Sequence, residues 1–176
     1  MKARHVIVAA LVVCLTAAQS NAQSTKLESA SKIIEQPDAP IKILSYKSSY
    51  GMHSKVALVG DKTEGVRHQA EYQNISERGI LAVELNYMMF DLFNDYLGFA
   101  GGIETDFLKP GDKDKSDGVA SYGSTFLTGV AFVNKVRFAD GEVWRANLNA
   151  IEQELIKIDK EFHVAILKPK AGAEEK

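Results

Sequence analysis

One stretch of strict alternation constrains the fold more than any other feature. Leu81, Val83, Leu85, Tyr87 and Met89 are apolar and are separated by Ala82, Glu84, Asn86 and Met88. A period of two sets every odd residue on one face of a β-strand, and an apolar face of that length needs a second layer to cover it. The pattern then breaks, because Phe90 and Leu92 are large but even, while odd Asp91 is charged. A bulge between Met88 and Phe90 would return Phe90 and Leu92 to the interior at the cost of one unpaired ladder position.

Other short alternating runs, at residues 41–46, 54–59 and 66–72, have strand length and lie between Gly, Ser, Asp or Asn turn residues. The polar run 109–118 reads as a solvated loop, and Gly98, Gly101 and Gly102 as turn glycines. Alternation resumes over 124–138. Asp140-Gly141 then favours a two-residue type I′ turn joining strands 130–138 and 142–146, because both central residues tolerate positive φ. After Asn149 the period becomes helical, with Ile151, Leu155, Ile158, Phe162 and Ala165 on one side, Asn149 as cap and Glu152 answering it. The expected fold is mainly β: an antiparallel sandwich of about seven strands with one C-terminal amphipathic helix.

The first 22 residues read as an export signal. Lys2 and Arg4 precede an apolar stretch from Val6 to Leu15, and Ser20-Asn21-Ala22 offers small-x-small cleavage after Ala22. That stretch is far short of the roughly 20 residues that span a bilayer, and no later segment reads as a membrane span. The expected location is periplasmic or secreted. The chain then divides into a flexible tether at 23–40, a sandwich at 41–146, a helix at 147–167 and a disordered tail at 168–176. The only cysteine, Cys14, falls within the leader, so the mature chain has no thiol for a disulfide, metal or nucleophile. Taking Lys2 and Arg4 from 21 basic residues against 23 acidic ones leaves a mature balance of −4. With the basic residues scattered among acids, a nucleic-acid partner is excluded.

Phe90, Asp91, Leu92, Phe93 and Asn94 resemble the Phe-x-Leu-Tyr-Asp signature of the FxLyD domains, with Phe93 and Asn94 in place of Tyr and Asp. The run 69–72 leading to Asn74, the strand 82–89 before the motif, and Leu108, Lys109, Pro110, Gly111 and Asp112 after it are similar in order to that family over about residues 66–138. The resemblance implies an immunoglobulin-like β-sandwich of an exported prokaryotic protein, and no reaction.

No catalytic constellation stands out. His53, His68 and His163 fall in different elements without metal-ligand spacing, and read as surface or half-buried side chains. The run Asp112-x-Asp114-x-Ser116-Asp117-Gly118 misplaces the glycine of a calcium loop, has Gly123 where the last ligand would fall, and carries Lys113 and Lys115 against a cation. No cofactor or metal is expected. The residues with most to offer a partner are Trp144 and Arg137, which a two-residue turn would place side by side on the outer face. The expected function is a non-catalytic interaction module for another envelope or secreted protein. Alternatives are a small glycan hydrolase using Asp91 with Asp95 or Glu104 with Asp106, and a structural protein self-associating through the C-terminal helix.

Overall fold

A computed structural model of the chain describes residues 29–54, 62–121, 124–163 and 165. The leader expected at 1–22, the tail expected at 168–176 and most of the strand expected at 54–59 lie outside these residues. Eight strands and one helix follow in order: β1 (Ala30–Ile33), β2 (Ile41–Ser54), β3 (Lys62–Asn74), β4 (Ile80–Asp91), β5 (Tyr96–Glu104), β6 (Lys113–Ala120), β7 (Phe126–Phe138), β8 (Val143–Arg145) and α1 (Leu148–Leu155).

The strands form two sheets. The smaller has the order β2-β3-β6, and the larger β1-β7-β4-β5 with β8 also paired to β7. Counted from β2, strands one, two and five make one layer and strands four, three, six and seven the other, the strand exchange of an immunoglobulin-like sandwich with its fourth strand moved into the sheet of the third. All pairings are antiparallel except β1 with β7.

Between the sheets lies the main core, where Val83, Leu85, Tyr87, Ala131, Val133 and Val136 meet Ile41, Ile43, Ala70 and Tyr72. Val83, Leu85 and Tyr87 are odd residues of β4, as the alternation requires. Leu81 departs from the expectation. A register shift between Ile80 and Ala82 turns it out, leaving it 40% exposed while Ile80 is buried.

The larger sheet is covered on its other face as well, over half its extent. Met88, Phe90, Val130 and Phe132 pack with Ile34, Ile151, Leu155 and Phe162 in a second core. Burying each of these large side chains contributes about 1.5–3 kcal/mol, enough to hold a short helix that would be marginal alone. The irregularity beside Met89 and Phe90 puts its extra residue, Leu97, in β5 and leaves β4 in regular alternation, so the parity change expected in this strand does not occur. Phe90 is buried because it stays on the even face beside Met88, where the C-terminal segment covers it, while Leu92 is 47% exposed. Here the chain already turns: Asp91 Oδ1 accepts from the N–H of Phe93 (2.8 Å) and of Asp95 (3.0 Å), and Asn94 adopts φ 70°.

Several boundaries move. The tether expected at 23–40 contains β1, because Ala30–Ile33 finds an edge of β7 to pair with. The loop expected at 109–118 is a turn only as far as Asp112, and β6 follows because β3 offers its free edge from Val66 to Gln73. The three glycines read as turns lie within β5. The helix ends at Leu155, well before the expected 167, and its cap is Asn147 rather than Asn149; the Asn147 side chain accepts from Asn149 N and Ala150 N. Phe162 still reaches the second core from outside the helix.

A candidate partner-binding face

The hairpin joining β7 to β8 decides where Trp144 and Arg137 point. Its closing bonds run from Phe138 N to Glu142 O (2.9 Å) and from Gly141 N to Phe138 O (3.0 Å), which adds residues to the connection. The register is then Arg137 opposite Val143, Val136 opposite Trp144 and Lys135 opposite Arg145, one residue from that of a two-residue turn. A slip of one residue reverses every side chain. Trp144 therefore shares the inner face with Val136 and packs on the main core, while Arg137 stays outside. The structure separates the two expected site residues by the thickness of the sheet.

What surrounds Arg137 was not visible in the local sequence, because it is assembled across four strands. One cross-strand row runs Ile103, Glu84, Lys135, Arg145, and the next runs Ala82, Arg137, Val143. Together they line a shallow depression of about 270 Å³ on the half of the sheet that the C-terminal segment leaves uncovered. Ile103 is 66% and Val143 36% exposed. Glu84 is engaged: it accepts from Lys135 Nζ (2.8 Å) and from Asn134 Nδ2 (2.6 Å). Four arginines lie among the described residues. Arg67 pairs with Asp117, and Arg78 with Asp140 and Glu142. Arg137 and Arg145 have no carboxylate partner among the described residues, and they share this face.

A second unusual cluster is internal. The rings of Tyr46, Tyr87 and His68 stack nearly parallel between the sheets, with centroids 5.5 Å apart for Tyr46–Tyr87 and 4.9 Å for His68–Tyr87. Tyr46 Oη and His68 Nδ1 are 2.8 Å apart. His68 Nε2 and Tyr87 Oη are buried without a hydrogen-bond partner among the described residues, although Ser116 lies near the latter. Burial lowers the His68 imidazole to about 4 and, opposed by Ser116, raises Tyr87 to about 12. Burial also raises Tyr46, against the effect of Ser48. His68 was expected at or near the surface; the alternation of β3 puts it inside, opposite Gly118. Tyr46 is only half-buried, so the stack runs from the core between the sheets toward the surface.

The remaining candidates disperse. His53 Nε2 lies 3.2 Å from Ser49 O, and His163 faces Glu152 at 4.0 Å. Among the described residues no three His, Cys, Asp or Glu side chains gather as a metal site would. A wider groove of about 680 Å³ is rich in serine. Two of its serines tie β1 to β2, since Ser31 Oγ meets Ser48 Oγ (2.9 Å) and accepts from Ser48 N (2.8 Å). The Asp91 carboxylate closes its turn, and Ile151 and Leu155 are buried within the chain. No helix among the described residues is long and apolar enough to cross a membrane.

No family model and no curated protein matches the chain. Two solved structures are similar in outline. A hypothetical protein from Peptoclostridium difficile 630 matches at a TM-score of 0.48 and 11% identity, covering 70% of this chain and 93% of its own. A Northeast Structural Genomics Consortium target matches at a TM-score of 0.39 and 16% identity, covering 61% of this chain and 80% of its own.

Proposed function

We propose that the chain is an exported, non-catalytic interaction module that engages another envelope or secreted protein through the open half of its larger sheet. The observation that carries this reading is the pair Arg137 and Arg145, both exposed and without a carboxylate partner among the described residues, on a face bordered by exposed Ile103 and Val143. Apolar contact flanked by arginine is the composition that interface centres favour. Export rests on the leader pattern at residues 1–22. The resemblance to FxLyD domains is supported by the joining of its segments: Asn74 N donates to Asp112 O (3.0 Å), and Asn74 Nδ2 to Leu108 O (3.2 Å).

Affinity capture from an envelope extract tests the proposal, with the mature chain and its Arg137→Glu variant as baits. A partner retained by the first and lost by the second is expected. Identical recovery on both baits would overturn the assignment to this face.

A further inference from the structure

We infer that the partner presents an extended segment with carboxylates at alternate positions, and that Arg137 and Arg145 each receive one of them. The inference rests on the proposed binding role of this face and adds the chemistry of what binds.

Three observations carry it. The first is spacing. Arg137 is opposite Val143, and Arg145 lies two residues farther along β8, so the two arginines are diagonal neighbours on one face. Such neighbours lie roughly 7–8 Å apart at the backbone. Carboxylates at alternate positions of an extended peptide point to the same side and recur roughly every 6.6–6.8 Å. The second is unbalanced charge. Lys135 and Arg145 stand directly opposite one another, a like-charge pair that costs stability in a sheet. Glu84 answers Lys135 alone. The third is the apolar border of Ile103 and Val143, against which the methylene groups of the acidic side chains can lie, while the side chains interleaved between them point away.

Arginine is the suitable residue for this role, because its planar fork binds a carboxylate through two parallel hydrogen bonds and is only weakly hydrated. A nucleic acid fits less well. It would call for an extended basic footprint, whereas here two arginines without a carboxylate partner among the described residues sit in a chain whose expected mature balance is −4.

The probe is a capped hexapeptide of alternating Val and Glu, titrated into the isotopically labelled mature chain and followed by amide NMR. Saturable shifts centred on Ile103, Val143 and Arg145 are expected, together with at least a tenfold loss of affinity in the R137Q/R145Q double variant. Arg67→Gln, on the other sheet, should leave affinity unchanged. A matched Val-Gln peptide should not saturate. Equal binding by the double variant, shifts centred elsewhere, or tighter saturation by inorganic pyrophosphate than by the peptide would each overturn the inference. An envelope protein captured through this face with undiminished yield by the double variant would sink the carboxylate assignment and leave the binding role standing. Peptide binding here without any captured partner would do the reverse.

Discussion

The Gln36 side-chain amide pairs with the backbone of Val133 as a strand residue would: Nε2 donates to Val133 O at 2.9 Å, and Oε1 accepts from Val133 N at 2.8 Å. On one side of this contact β1 pairs with β7 up to Ala131, and on the other β8 begins its pairing at Lys135. A single side chain thus closes the gap left between two short strands on one sheet edge. Replacing Gln36 with Ala would strand a donor and an acceptor. The expected loss is about 1–3 kcal/mol, read as a lower denaturation midpoint with unchanged slope, together with faster amide exchange at Val133.

Gly129 in β7 faces the buried stack, and a Cβ there would intrude on Ser48 Oγ and Tyr46 Oη, well inside van der Waals contact. Gly129→Ala should destabilise by about 1–3 kcal/mol, since the blocking atoms belong to side chains packed in the core. The companion variant Gly118→Ala meets nothing within 4 Å and should change stability little. Chemical denaturation of the two variants side by side checks the contrast.

Stability should depend on pH through His68. Its folded-state value of about 4 lies below the ordinary 6.5, so the unfolded chain binds the proton first as pH falls. The contribution is fully present above pH 6.5, diminishes between 6.5 and 4, and is lost below, in all about 3 kcal/mol for this group. His68→Gln should flatten the melting temperature against pH over that window. An unchanged profile would contradict the neutral buried imidazole.

Trp144 packs on the main core while remaining partly exposed. Trp144→Ala is expected to cost about 2 kcal/mol, less than for a fully buried aromatic. Partner capture should persist wherever the variant remains folded. Loss of capture with stability intact would instead place Trp144 at the interface.

The sandwich was legible in the sequence because its strongest signals are local. The alternation from Val83 to Met89, the periodic Ile151 and Leu155, and the Asp140-Gly141 turn all mark real elements. What failed was whatever depends on distant partners. The run 113–120 has no hydrophobic alternation and becomes a strand only because β3 has an edge to offer; Ala30–Ile33 does so because β7 has another. The turn type at Asp140-Gly141 fixed the fate of Trp144, and a difference of one residue there was enough to invert it. The basic face was invisible for a related reason, since Glu84, Ile103, Arg137 and Arg145 come from four strands and meet only through the register.

Site-specific photocrosslinking in cells tests the account most directly, with the reactive residue at position 143 in one strain and at position 144 in another. The outward position 143 should form one defined adduct with an envelope protein, weakened by the R137Q/R145Q background, while the inward position 144 should react within its own chain. An intermolecular adduct from position 144 with none from position 143 would contradict both the register of the hairpin and the face assigned to the partner.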